Sequence, residues 1–348
     1  MKAVLFCINP YAFGILKPLH DELVKQGSTV LWYIPENIKS KCPFIKEVNL
    51  TDSIKVLSEF QSDAIYVPGN EIPHYLRGVK TQVFHGLAGE KKGHFRIRSY
   101  FDLYLTQGPY FTDGFNKLAK KYKDFEVVET GWCKLDTLFQ NHEEYQKERN
   151  SFLAKSGKKT LVLFAPTFSP SLTCAVTAKD KIFEIADKED IFLLIKFHDL
   201  MDAKTIDEYK NLASSRGNVQ IVSDRNILKY MVMSDFMISD TSSVVYEFIL
   251  LNKPVITINS HSENINWCDI PDSNSLVEIF RKELIEDNFR SARQKVIDMY
   301  HPYSDGKSSA RMISAVEDYI SRHGVPDARK IGFLRRYKMN KMFGPKPE

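Results

Sequence analysis

No stretch of this sequence approaches the roughly 20 consecutive apolar residues that a bilayer-spanning helix needs. The short apolar run after Met1-Lys2 stops at Asn9-Pro10, so neither a membrane span nor a secretory leader is expected. Cysteine is scarce: Cys7, Cys42, Cys133, Cys174 and Cys268 are odd in number, scattered, and never spaced as a metal or redox pair, which suits a reducing cytoplasm. There is no G-x-G-x-x-G and no H-E-x-x-H, so dinucleotide-redox and zinc-protease readings fall away. Gly306-Lys307-Ser308 has the ending of a Walker A loop, but His301 stands where its first glycine belongs and no strand precedes it. No acidic cluster suggests a resident metal, so no tightly bound cofactor is expected and magnesium would enter only with a substrate. Internal repeats and low-complexity segments are also lacking.

Charge of either sign is nearly balanced over most of the chain. The formal net charge is +4, yet Val325 to Glu348 alone holds seven Lys/Arg against Asp327 and Glu348, which leaves the body near neutral. In that tail Ile331, Phe333, Leu334, Tyr337, Met339, Met342 and Phe343 alternate with the cations, a composition that fits an anionic membrane surface or, equally, a solvated tail. Nucleic acid is not expected as a partner, because the basic patches that bind it belong to the folded body, and this body is uncharged overall.

What the chain has is length and apolar content for two packed domains: 348 residues, 43% of them hydrophobic. Short β-rich runs alternate with helical ones. Strands are expected near residues 3–8, 29–34, 64–67, 81–84, 103–105 and 126–128, then near 161–165, 192–197, 219–222, 236–238 and 255–258. This alternation predicts an α/β fold of two doubly wound Rossmann-like domains facing a cleft, with ligands at the carboxyl ends of the strands. The expected division is an N-terminal domain over 1–140, a charged linker over 141–158, a second domain over 159–324 and the basic tail over 325–348.

The notable polar residues lie just past the expected strand ends. Ser239-Asp240-Thr241-Ser242-Ser243 runs from an apolar strand into a helix, where free backbone N–H groups and the helix dipole suit a phosphate; capping by one of the hydroxyls is the plainer alternative. His85-Gly86 offers a neutral imidazole as general base beside a glycine that permits a tight turn or a close ligand, though a lone histidine also serves structural roles. The loop Gly89 to His94 reads as an active-site loop or an ordinary exposed one. Lys196 and His198, two apart, share a face of an extended segment and would suit a pyrophosphate. Ala165-Pro166-Thr167-Phe168-Ser169 adds hydroxyls at another strand end or is a simple turn. Lys307, Ser308, Ser309 and Arg311 sit at a turn opening a helix, available to an anion.

Taken in order, His85-Gly86, Thr130-Gly131-Trp132-Cys133-Lys134-Leu135-Asp136, Phe164-Ala165-Pro166-Thr167-Phe168, Lys196-Phe197-His198, Ser239 to Ser243 and Tyr303-Ser304-Asp305-Gly306-Lys307-Ser308-Ser309 resemble the CDP-glycerol glycerophosphotransferases, builders of teichoic acids and related polymers. The resemblance covers about His85 to Arg311. It implies a GT-B architecture and transfer of an alcohol phosphate from a CDP-activated donor to a hydroxyl of a lipid-linked or saccharide acceptor, releasing CMP. It implies His85 as the base and His198 acting at the donor's pyrophosphate. Gly86, Thr167, Lys196, Asp240, Thr241, Ser242, Ser243, Asp305, Gly306, Lys307, Ser308 and Ser309 would form the nucleotide and phosphate site. Such an enzyme would work in the bacterial cytoplasm, peripheral to the membrane.

Two departures stand out. The family usually has Gly-Tyr-Pro-Arg-Asn-Asp where this chain has Gly131 to Asp136, and Lys-Pro-His-Pro where it has Lys196 to Asp199, so glycerol or another polyol such as ribitol is left open as the transferred alcohol. The chain is also short for a polymerase of this family, which favours a single transfer. Asn252-Lys253-Pro254-Val255 resembles a segment of GT-B glycosyltransferases and UDP-N-acetylglucosamine 2-epimerases, a competing reading, although serines stand where those enzymes have paired glycines. A non-catalytic GT-B scaffold is the remaining alternative, and one without need of His85 and His198.

Overall fold

The computed structural model describes residues 1–87, 94–140, 142–224, 227–262 and 265–347. The chain divides into two units, residues 1–139 with 299–348, and residues 140–298. Unit 1 is built on seven parallel strands: β1 (Lys2–Phe6), β2 (Thr29–Tyr33), β3 (Leu50–Thr51), β4 (Ala64–Val67), β5 (Val79–Gln82), β6 (Leu103–Thr106) and β7 (Glu126–Glu129), in the spatial order β3-β2-β1-β4-β5-β6-β7. Unit 2 has six: β8 (Thr160–Phe164), β9 (Ile191–Ile195), β10 (Val219–Ile221), β11 (Phe236–Ser239), β12 (Val255–Ile258) and β13 (Cys268–Ile270), in the order β10-β9-β8-β11-β12-β13.

Both sheets are Rossmann-like for the reason legible in their strands. Runs such as Ile191-Phe192-Leu193-Leu194-Ile195 are apolar at every position, as a strand covered on both faces must be. Covering helices are amphipathic: Ala12–Lys25 turns Phe13, Leu16, Leu19 and Leu23 inward, and Lys179–Lys188 buries Ile182, Phe183, Ile185 and Ala186. In each sheet the order reverses beside the first strand, between β1 and β4 and between β8 and β11, opening a crevice at the carboxyl ends there.

Several expectations change. β3 and β13 are two and three residues long, too short to announce themselves by periodicity. β5 ends at Gln82 rather than Phe84, whose φ of 61° breaks the extended run. The expected linker is instead a helix, Glu143–Ser156, that belongs to unit 2. It has no fully buried residue and is held by ion pairs and one aromatic contact: Arg149 grips both carboxylate oxygens of Asp235 at 2.8 and 2.9 Å, Glu148 pairs with Lys229 at 2.7 Å, and the Phe152 ring lies 5.2 Å from that of Phe192.

The boundary expected at 324 falls at 298. Helix Ser308–His323 buries Met312, Ile313 and Val316 and packs on helix Ala12–Lys25 and β5, all within unit 1. Residues 325–348 are not a free tail. Helix Phe333–Phe343 drops Met339, wholly buried, into the unit 1 core beside Ile331 and Phe343. Arg329 is locked to Asp102 at 2.6 Å and to the Ser99 carbonyl at 2.8 Å. The apolar residues of the tail thus divide, with Phe333, Leu334 and Tyr337 left exposed at 79%, 82% and 65%.

Candidate active site

Three groups of the expected site residues appear, each formed inside one unit. The first is a cavity of about 210 Å³ in unit 2, lined by Ala165, Pro166, Thr167, Lys196, Phe197, His198, Asp199, Ile227, Ser242 and Val244. Thr167, Lys196, His198 and Ser242, far apart in sequence, meet here because β8, β9 and β11 are neighbours and release their chains at the same edge. Lys196 is buried and donates to the Phe197 carbonyl at 2.6 Å. His198 is exposed, and its Nδ1 accepts the backbone N–H of Leu200 at 3.1 Å. An accepting Nδ1 carries no proton, so the neutral ring holds its proton on Nε2 and presents a donor. Phe168, which sequence reasoning noted only within its motif, stacks on that ring with centroids 4.3 Å apart.

The hydroxyl cluster behaves differently from the expectation. The helix it opens is only six residues, Val244–Ile249, and Ser243 at its N-cap makes no side-chain capping bond. Thr241 Oγ1 accepts the backbone N–H of His261 at 2.9 Å, and Ser243 is exposed, leaving Ser242 as the one of the three that lines the cavity. Asp240 does not line it. Its carboxylate, 1% exposed, accepts the backbone N–H groups of Thr167 and Cys174, each at 2.9 Å. Burial pushes this carboxyl above the usual aspartate value, and those two N–H bonds pull it back.

The second group surrounds His85 in unit 1. Here the ring is oriented the opposite way: Nδ1 lies 3.0 Å from the Pro68 carbonyl oxygen, which can only accept. Nδ1 therefore carries the proton, and Nε2 of the exposed ring offers a lone pair. Gln82, buried on β5, donates to the carbonyls of Val67, Pro68 and Gly69 and so fixes the acceptor that fixes the histidine. The Tyr11 ring lies 5.3 Å from His85, and Gln107 holds the Gly86 carbonyl at 3.0 Å. Gly86 does not make the turn that its sequence context suggested. The left-handed residue is Phe84, whose ring is buried against Tyr104, Phe115 and His94 and so compensates an unfavourable backbone. Burial holds His94 down at about 4, with His85 adding to the effect. Gly89 to Gly93 of the suggested active-site loop lie outside the described residues. Tyr11, Gln82 and Gln107 were missed by sequence reasoning. The available signal was the strand end at Asn9-Pro10-Tyr11, which was read only as the close of an apolar run.

The third group, Asp305 to Ser309, is a joint within unit 1. The N-terminus of helix Ser308–His323 is occupied by a side chain of the protein: Asp136 Oδ1 and Oδ2 accept the N–H groups of Ser308 and Ser309, both at 2.7 Å. Asp305, which is exposed, accepts from Lys307 N at 3.1 Å and pairs with Arg311 at 2.8 Å. Gly306 supplies the φ of 64° that the turn needs. The two family-like motifs meet here. Gly131, at φ 80°, passes so close that a Cβ would collide with Ser308 Oγ; Trp132 N donates to His301 Nε2 at 3.0 Å; Tyr303 donates to Glu129 at 2.8 Å; Arg311 donates to the Thr130 carbonyl at 2.7 Å. The N–H groups of Ser308 and Ser309, expected to meet a substrate anion, thus meet the Asp136 carboxylate. Lys307 remains exposed.

Among the described residues no group of three or more His, Cys, Asp or Glu side chains is placed to hold a metal ion, and no helix is long and apolar enough to cross a membrane.

Comparison with known proteins adds what geometry alone does not. Residues 78–264, more than half of the chain, match the family model described as CDP-Glycerol:Poly(glycerophosphate) glycerophosphotransferase. The match ends before the Tyr303 to Ser309 motif. A teichoic acid glycerol-phosphate primase of Bacillus subtilis (strain 168) is 26% identical over 65% of this chain and 60% of its own length. The teichoic acid ribitol-phosphate polymerase TarK of Staphylococcus aureus is 26% identical over 90% of this chain and 67% of its own. The chain therefore spans about three fifths to two thirds of these relatives. A solved structure of the wall teichoic acid polymerase TagF superposes with a TM-score of 0.64 at 17% identity, covering 92% of this chain and 89% of that one. At that identity the likeness shows the fold, which is the GT-B class of two Rossmann-like domains.

Proposed function

The chain belongs to the CDP-glycerol:poly(glycerophosphate) glycerophosphotransferase family, and on that premise we propose that it transfers a polyol phosphate from a CDP-activated donor to an acceptor hydroxyl, releasing CMP, in the synthesis of a cell-wall or surface polymer. The observation that carries the reading is the pair of oppositely fixed histidines: His85 with a free Nε2 lone pair and His198 with an Nε2–H donor. A phosphoryl transfer needs one group to take a proton from the nucleophile and others to offset charge on the phosphates. In this scheme His85 Nε2 accepts the proton of the acceptor hydroxyl as its oxygen bonds the β-phosphorus. The bond from that phosphorus to the bridging oxygen breaks, and CMP leaves with the electron pair. His198 donates a hydrogen bond to the departing phosphate, while Lys196, Thr167 and Ser242 surround the same cavity. No resident cofactor enters the scheme, and magnesium entering with the donor is compatible with it.

Glycerol, or a related polyol such as ribitol, is proposed as the transferred alcohol. The direct experiment measures CMP release from CDP-glycerol and CDP-ribitol, and UDP release from UDP-sugars, with a lipid-linked saccharide acceptor. CMP from one of the CDP-alcohols is expected; UDP alone would overturn the reading.

The acceptor is proposed to be lipid-linked, with the protein peripheral on the cytoplasmic face of the membrane. Support comes from helix Phe333–Phe343, where the exposed Phe333, Leu334, Tyr337 and Met342 lie among Lys330, Arg336 and Lys341. Apolar side chains and cations together suit an anionic interface. Deleting the tail would also remove Met339 from the core, so substitution is the cleaner test. Changing Phe333, Leu334 and Tyr337 together to serine is expected to weaken binding to phosphatidylglycerol-containing vesicles by on the order of 10²-fold, with unfolding unchanged; equal binding would remove this role.

A further inference from the structure

We propose that Asp240 is a positioning residue whose side chain shapes the Thr167 wall of the unit 2 cavity, an inference that rests on the proposed role of that cavity in holding a cytidine diphosphate donor. Asp240 follows β11 directly, and its side chain reaches the segment that follows β8. Toward β8, its side chain accepts from Thr167 N and Cys174 N at 2.9 Å each, folding residues 167–174 over the strand end. Ser239 reinforces that join through its hydroxyl, which donates to the Ala165 carbonyl at 2.7 Å. Toward the following helix, the Asp240 carbonyl accepts Ser242 N at 2.9 Å. Thr167 and Ser242 both line the cavity, and Asp240 does not.

The carboxylate is the appropriate group because two backbone donors converge on it. An ionised carboxylate is acceptor-only at both oxygens, whereas an amide of the same size has one acceptor and one donor. In Asp240→Asn, one of the two backbone N–H groups would face an NH2 instead of an oxygen. The segment would relax at that point and carry Thr167 with it. Cys174 belongs to the hydrophobic core of unit 2 together with Ile182, Leu193 and Phe236, so the Asp240 carboxylate ties the edge of the cavity at Thr167 to that core. Direct chemistry by Asp240 is disfavoured by the same geometry, since the group is 1% exposed and both its oxygens are engaged.

The experiment compares the full chain with Asp240→Asn and Asp240→Glu, using CDP as the probe in calorimetric titration, amide hydrogen exchange as the local readout, and steady-state CMP release. The positioning role predicts exchange at Thr167 and Cys174 at least tenfold faster in Asp240→Asn and CDP bound about tenfold more weakly. It also predicts a donor KM raised by a similar factor with acceptor KM unchanged. Asp240→Glu, which keeps the charge but extends the side chain by one methylene, should fall between. Wild-type CDP affinity in a folded Asp240→Asn protein would overturn the proposal. Failure of the unsubstituted protein to bind CDP would instead overturn the reading of the cavity, and with it this assignment.

Discussion

Substituting His85 with glutamine is expected to lower kcat for CMP release by about 10³-fold, within the 10²–10⁴-fold range of a positioned general base, with little change in donor KM. Glutamine can keep a donor toward the Pro68 carbonyl, which accepts from His85 at 3.0 Å, but it has no basic nitrogen for the acceptor proton. The loss should therefore be in the chemical step. Because His85 lies in unit 1 and the donor-binding residues proposed here lie in unit 2, CDP affinity should be preserved in the variant. Single-turnover and titration measurements separate the two. Activity within fivefold of the unsubstituted enzyme would remove His85 as the base, and lost CDP binding would place it on the donor instead.

Substituting Asp136 with alanine is expected to destabilise unit 1 by about 3 kcal/mol, from the loss of a helix cap and of hydrogen bonds to a charged acceptor. Asp136 is 2% exposed, and its removal leaves Ser308 N and Ser309 N, in residues 1% and 3% exposed, without their acceptor. For a unit of this size the midpoint should fall by roughly 6–12 °C, measured by thermal unfolding with tryptophan emission, since Trp32 and Trp132 both report on unit 1. The contrary result is informative. An unchanged midpoint with weakened CDP binding would restore the helix start at Ser308 as an anion site for the substrate.

Asp136 illustrates why some residues were legible and others were misassigned. The sequence correctly marked a turn and helix start at Asp305 to Ser309 and a motif at Gly131 to Asp136, but it could not show that one satisfies the other across 172 residues. A helix start attracts an anion whether the anion is a ligand or a carboxylate of the same chain. The same limit applied at Asp240, whose motif was visible while the direction of its carboxylate was not. For His85 and His198, strand-end placement was readable from the apolar runs before them. The protonated nitrogen of each ring depended on a backbone partner, the Pro68 carbonyl in one case and Leu200 N–H in the other.

The sequence by itself determined the α/β class and most of the strands, because fully buried parallel strands must be apolar throughout and their helices must alternate with them. It also determined the family, through ordered motifs that no composition would produce. Only the tertiary structure decided where the units divide, since residues 299–348 rejoin unit 1 through buried apolar contacts that leave no local signature. It likewise decided which hydroxyls and carboxylates are free to meet a ligand. Hydrogen-bond partners are matched in space, and a donor far along the chain claims an acceptor as readily as a substrate does.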